Sequence, residues 1–219
     1  MKKVMFVLGA ILSFVACQKS NQPLPPDYYP LAVGNFWVYD MHRVDSVGNN
    51  LSLWKTDSTI IVSDTMIGSV QFFKKEHYIK YANCQSYSHM CTHFVRYTND
   101  ELVTSDGLTL FTLNGSRNGR VYMGSDSAHF VEHTVTVPNP NLNNQITVPA
   151  GSFPSIEEVT SYIEYDTSYV NPLMLQTTAY YSSRVGMLMK ECFALSTLLS
   201  PNTLNPIRSL QRLRNYQVN

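Results

Sequence analysis

Short β-forming segments separated by turn residues recur along this chain, and this pattern constrains the fold more than any other feature. Val70–Tyr81 alternates along its whole length, and Met90–Tyr97 follows it after a short gap. Asn99-Asp100 and Asp106-Gly107 lie between such segments and are typical of hairpin turns. The 14 Tyr residues also favour strands. We therefore predict an all-β fold, formed as a single antiparallel curved sheet, a sandwich or a half-open barrel.

Interruptions of this pattern predict where individual strands end. Leu51–Trp54 and Thr59–Val62 are predicted as two strands, because a polar patch lies between them. Asn118-Gly119 is predicted as a bend. Arg208–Val218 fits a terminal strand, although apolar residues at a spacing of three would also suit a short helix.

The N-terminus has the pattern of a secretion signal. Lys2 and Lys3 precede an apolar run that ends at Val15, which is too short for the roughly 20 residues that span a bilayer. Phe14-Val15-Ala16-Cys17 resembles a bacterial lipobox, and the bulky Phe14 disfavours cleavage by ordinary signal peptidase. We predict a lipoprotein signal peptide at 1–16, a flexible tether at 17–27 and an all-β domain at 28–219.

Cys17 would then be the first mature residue and would carry the acyl chains (palmitate among them) that anchor the protein to a membrane. Gln18 follows it where Asp would favour retention at the inner membrane, so the outer membrane is predicted. No acidic residue stands directly after Cys17. This favours a domain that faces the periplasm, and the cell surface remains the alternative.

Charge and motifs exclude several classes of function. The chain has 16 Lys and Arg against 16 Asp and Glu, and no basic run, which does not favour nucleic-acid binding. It lacks a Gly-x-Ser-x-Gly elbow, a phosphate-binding loop and a dinucleotide fingerprint. Glu157 and Glu158 fall on opposite faces of a strand and make no acid–base pair. We predict no catalytic residue and no cofactor.

One cluster of cysteines and histidines has alternative interpretations. Cys84 precedes His89, Cys91 and His93, which alternate and could share one strand face. In an oxidising compartment a Cys84–Cys91 disulfide is predicted, with Cys192 as the odd thiol. Unlinked thiols are the second possibility. The third is a zinc-type site with Cys84, His89, Cys91 and His93 as ligands.

Three short segments carry a family resemblance. They are Tyr29-Pro30-Leu31-x-x-Gly34-Asn35-x-Trp37-x-Tyr39, Val148-Pro149-Ala150-Gly151-Ser152-Phe153 and a third segment from Tyr180 to Lys190. Together they resemble a group of small, uncharacterised bacterial lipoproteins of the Bacteroidetes type. The resemblance implies a curved antiparallel sheet and brings no catalytic residue.

Several residues of these segments have structural roles that can be predicted. Gly34, Gly151 and Gly186 are expected at turns or bulges, where glycine supplies backbone freedom. Trp37 and Phe153 are predicted core residues.

These features predict the location of the protein more specifically than its activity. We expect a lipid-anchored envelope lipoprotein that acts as a non-enzymatic binding or assembly module. Its expected partners are the membrane through Cys17 and an apolar ligand, a glycan or an envelope protein. The alternative is an envelope hydrolase or metal-dependent enzyme that uses the cluster of His89, Cys91 and His93.

Overall fold

The structure is a computed structural model, and it describes residues 27–45, 50–98, 101–113, 116–122, 130–138, 144–165, 174–193 and 208–219. The predicted signal peptide, Cys17 and the tether up to residue 26 lie outside the described residues. Within the described part no helix could cross a bilayer.

Thirteen strands form the regular structure of the described residues, and no helix occurs among them. They are β1 (Phe36–Val44), β2 (Asn50–Ile67), β3 (Val70–Tyr81), β4 (Ser88–Thr98), β5 (Glu101–Thr104), β6 (Thr109–Thr112), β7 (Ser116–Tyr122), β8 (Phe130–Thr136), β9 (Asn144–Val148), β10 (Gly151–Tyr165), β11 (Met174–Ser182), β12 (Gly186–Phe193) and β13 (Arg208–Gln217).

These strands form one antiparallel sheet in the order β6-β5-β4-β3-β2-β1-β13-β12-β11-β10-β8-β7, and β9 pairs with β10. The C-terminal strand β13 pairs with β1 on one side and β12 on the other, so it joins the two halves of the sheet. The outermost strands β6 and β7 lie next to each other. The sheet is therefore curved and nearly closed, which confirms the predicted all-β fold in its half-open barrel form.

Two predicted boundaries differ from the structure. The polar patch between Leu51–Trp54 and Thr59–Val62 continues β2, because its backbone pairs with β1 on one side and β3 on the other. Asn118-Gly119 lies inside β7, where it pairs with β8 instead of forming a bend. The terminal segment is a strand, and its helical alternative is wrong because β1 and β12 both need it as a hydrogen-bonding partner.

Two neighbouring clusters form the core of the described part of the chain. Trp37, Tyr39 and Ile61 belong to the first, together with Leu213 of the joining strand. As predicted, Trp37 is buried, and its indole N–H donates to the backbone oxygen of Val185. The predicted core residue Phe153 is partly buried and packs against this cluster.

The second cluster joins strands from the two ends of the sheet. Leu102 and Phe111 come from β5 and β6, and Ile156 and Tyr181 come from β10 and β11. Tyr29, which precedes the first strand, packs between them. Its ring centroid lies 5.4 Å from that of Phe111 and 5.4 Å from that of Tyr181. The N-terminal segment therefore fills the space inside the curved sheet.

A polar network continues from this aromatic cluster to the edge of the sheet. The Tyr29 hydroxyl donates to the Tyr181 hydroxyl at 3.3 Å, and Tyr181 donates to Glu158 at 3.3 Å. Glu158 forms an ion pair with Arg117 of β7, whose guanidinium also reaches the backbone oxygen of Thr109 in β6 at 3.5 Å. Side chains thus connect β7 to β6 where backbone pairing ends.

Gly186 makes a close approach that predicts a measurable stability difference. Its φ is 102°, and an added Cβ would lie 3.0 Å from the Nε1 atom of buried Trp37. Gly68 also has a positive φ, 63°, but no atom lies within 4 Å of such a Cβ. We expect Gly186→Ala to lower the free energy of unfolding by about 1–3 kcal/mol more than Gly68→Ala, because only the first overpacks the core.

Urea unfolding of the two variants measures this difference. Gly68→Ala should lower the free energy of unfolding by about 1–2 kcal/mol, because a residue with a Cβ is strained at positive φ. It has no packing conflict and so serves as the matched control. Equal losses in both variants would show that Trp37 moves aside freely.

Candidate functional site

The candidate site is a cavity of about 120 Å³ on the concave face of the sheet, next to the first core cluster. Its wall is mostly apolar, which is typical of small-molecule sites. The apolar and aromatic lining residues are Tyr29, Leu31, Trp37, Tyr39, Ile61, Val95, Leu102 and Met187. Gly186 and three polar residues, Thr59, Lys75 and Gln211, complete it.

The register of the strands explains why these residues meet. Residues directly opposite in an antiparallel pair share one face. Trp37 is paired with Thr59, and Ile61 with Lys75. Met41, which follows Trp37 and Tyr39 on the inner face of β1, is paired with Gln211 in β13. The cavity therefore has apolar residues from several strands and one cationic group, Lys75.

Lys75 is the charged residue among those that line the cavity. Burial lowers the pKa of its ammonium group, while the nearby Cys91 sulfur has the opposite effect. No described carboxylate forms an ion pair with Lys75. A cation in this position is destabilised unless an anion or water satisfies it.

Asp57 is a buried carboxylate on this face, and other groups already contact it. Lys55 lies 3.2 Å from its Oδ1 atom, and Gln211 donates to its Oδ2 atom at 3.2 Å. The Nε2 atom of His77 is 3.9 Å from Oδ1. Asp57 therefore belongs to a polar group beside the cavity, and Lys55 is its ion-pair partner.

Cys91 lies beyond this group, between two imidazoles. Its sulfur is 3.2 Å from Nε2 of His93 and 3.9 Å from Nδ1 of His77. Cys91, His77 and Asp57 follow one another in space, and a thiol, an imidazole and a carboxylate in that order are the parts of a cysteine nucleophile site. The 3.9 Å separations on both sides of His77 exceed the usual reach of about 2.6–3.2 Å between nucleophile and base.

The structure separates the predicted cysteine and histidine cluster. Cys91 and His93 are brought together, but His89 lies on the convex face. A register shift between His77 and Tyr78 places His89 opposite Tyr78, with their ring centroids 5.3 Å apart. Within the described residues no group of three His, Cys, Asp or Glu is placed to hold a metal ion.

The remaining cysteines occupy separate positions. Cys84 is exposed in the β3–β4 turn, and its sulfur contacts the side chain of Asn83. Cys84 and Cys91 are both thiols in this structure, and their disulfide stays a prediction. Cys192 is opposite Ser209, and burial raises the pKa of its thiol.

Sequence analysis missed Lys75, Asp57 and Gln211. The available signal was alternation, since Phe73, Lys75 and His77 are two residues apart in one predicted strand. That signal was ambiguous because Phe72, on the other face of β3, is also apolar.

No family model matches the sequence, and no curated protein matches it. Among solved structures, the fold is similar to that of a candidate lipoprotein from Parabacteroides distasonis ATCC 8503, with 13% identity and a TM-score of 0.54. The match covers 88% of this chain and 99% of that chain. A candidate exported protein with a YmcC-like fold from Bacteroides fragilis NCTC 9343 has 11% identity, coverage of 88% and 100%, and a TM-score of 0.48.

Three concave-face histidines make the stability of the fold depend on pH. Burial is the main cause that lowers the pKa of His77, His93 and His133, and nearby cations add to it. Asp57 raises the pKa of His77 and Asp106 that of His93, but burial outweighs both. The unfolded chain then binds more protons than the folded one just below the ordinary His pKa of about 6.5. We expect the free energy of unfolding to fall as the pH drops through this range.

Urea unfolding at about pH 7.5 and about pH 6 measures this fall, and His77→Gln isolates one contribution. The variant should lose less stability between the two values than the unaltered chain. Burial raises the pKa of Glu158, which acts in the opposite direction, so the comparison with the variant is the informative one. An equal or steeper loss in His77→Gln would contradict the assignment.

Proposed function

We propose that this protein is a lipid-anchored envelope lipoprotein whose β-domain is a non-enzymatic module that binds a small apolar ligand inside the curved sheet. The observation that carries the proposal is the cavity beside Trp37. Eight of its twelve lining residues are apolar or aromatic. Such a surface is stabilised when an apolar group replaces water.

The volume of the cavity limits the size of the ligand. At about 120 Å³ it is slightly smaller than an engineered apolar cavity of about 150 Å³ that binds benzene. One six-membered ring or a short alkyl chain is the matching size. A long acyl chain would have to extend beyond the cavity.

The location rests on the N-terminus. The lipobox-like segment that ends at Cys17 and the absence of acidic residues directly after it favour a periplasm-facing lipoprotein of the outer membrane. The fold shared with the candidate lipoprotein from Parabacteroides distasonis supports an envelope location. In this arrangement the membrane is the partner of Cys17, and the cavity is left for the ligand.

Replacing Cys17 tests the anchor. We expect Cys17→Ala to move the chain from the membrane fraction to the soluble fraction, because the acyl chains have no attachment site. Cell fractionation and the mass of the intact protein measure the change. Cys84→Ala, which removes an exposed thiol of the domain, is the matched control and should stay with the membranes. A Cys17→Ala protein that remains there would disprove the anchor.

Trp37 provides a direct readout of ligand binding. The chain has two Trp residues, so Trp54→Phe leaves Trp37 as the sole tryptophan. We expect cyclohexylmethanol, dialysed against the purified full chain to a fixed free concentration, to change Trp37 fluorescence in a saturable way. Its apolar ring fits the cavity and does not absorb at the wavelengths used.

Filling the cavity should weaken this binding. Thr59→Phe places a ring in the cavity wall and should weaken the apparent affinity at least about tenfold. Thr65→Phe is on the same strand but outside the lining, and should leave the affinity unchanged. Thermal unfolding verifies that both variants fold. The absence of any saturable response in the Trp54→Phe chain would disprove the cavity as a binding site.

A further inference from the structure

We propose that the ligand is a small monocarboxylate with an apolar body, whose carboxylate pairs with Lys75 while its ring or short chain occupies the cavity. This inference rests on the proposed binding function and specifies the chemical class of the ligand. It assigns a binding role to a residue that contacts no described anion.

The carboxylates of the concave face are already in use. Asp57 contacts Lys55 and Gln211, and Glu158 pairs with Arg117 and accepts from Tyr181. Lys75 therefore has no acid of the described fold available to it, although it lines the cavity. An anion that enters the cavity would be the missing partner.

The other groups near Lys75 do not replace an anion. His77 and His93 are close enough that the Lys75 charge contributes to lowering the pKa of each imidazole. The sulfur of Cys91 is a further neighbour of Lys75. Because the pKa of both imidazoles is lowered, the positive charge at this end of the cavity is that of Lys75. Charge complementarity then favours a negatively charged headgroup.

The polar and apolar parts of the cavity match an amphipathic ligand. Thr59 lines the same cavity as Lys75, and its hydroxyl is a donor from which a carboxylate oxygen could accept. Trp37, Val95 and Leu102 lie among the apolar lining residues. A carboxylate bound by an ammonium group makes a charge-assisted hydrogen bond, which is stronger than the bond that a neutral hydroxyl would make.

Burial also explains why Lys75 favours an anion over a neutral ligand. Its lowered pKa shows that the charged ammonium is destabilised by its surroundings. A carboxylate at the same place favours the charged form and removes that cost. An alcohol of the same shape fills the apolar space but leaves the ammonium without a counter-ion.

Cyclohexanecarboxylate and cyclohexylmethanol separate these two contributions, because they share a ring and differ in the headgroup. With the purified full chain carrying Trp54→Phe at pH 7, we expect Trp37 fluorescence to report at least about tenfold tighter binding of the acid. That preference corresponds to about 1.4 kcal/mol, as expected for a charged headgroup.

Substitutions of Lys75 test the assignment. Lys75→Met should bring the affinity for the acid down to that of the alcohol or below, and change the affinity for the alcohol less than about threefold. Lys75→Arg should keep a preference for the acid. Lys190→Met is the matched control: Lys190 pairs in register with Gln211 and has no described ion-pair partner, but it does not line the cavity. It should keep the full preference.

The possible outcomes are distinct. Binding of the alcohol as tight as that of the acid overturns the carboxylate assignment and leaves the proposed function standing. A preference that survives in Lys75→Met, with thermal unfolding showing a folded chain, assigns the anion to another residue and also overturns it. Failure of both probes to bind overturns the binding function itself.

Discussion

The packing of Tyr29 between Phe111 and Tyr181 is the interaction on which the rest of the structure depends. Phe111 belongs to one end of the sheet order and Tyr181 to the other half, so their contact with one N-terminal ring holds the curved sheet together across its interior. Burial raises the pKa of Tyr29 to about 12, and its hydroxyl donates to that of Tyr181. A single sheet would otherwise leave its concave face and both edges in contact with water.

Closure divides the concave face into regions with different chemistry. Around Trp37 the inner residues are apolar and form the wall of the cavity. Beyond it stand Asp57, His77 and Cys91, a polar group with its own internal contacts. Lys75 lies at the border between the two regions. That position gives the cavity one polar end. A cavity of this kind favours an amphipathic ligand over a purely apolar one.

Part of the candidate site follows from the sequence and part does not. Cys91 and His93 were singled out because alternate residues share a face, and they are in contact. His89 continues the same alternation but is on the other face, because a register shift in β4 breaks the period of two. Lys75 was missed since Phe72 and Phe73 make both faces of β3 equally apolar, so the pattern does not say which face is enclosed.

The sequence by itself determined the local features of this protein: its β-strands, its turns, the positive φ of Gly34 and Gly186, and the signal that predicts a lipid anchor. These depend on residues close together in the chain. Only the tertiary structure decided that the last strand joins the two halves of the sheet and that Lys75 stands inside with no described counter-ion. The pairing of the last strand and the position of Lys75 depend on hydrogen-bond registers between strands that are distant in the chain. The local preferences of the residues do not determine those registers.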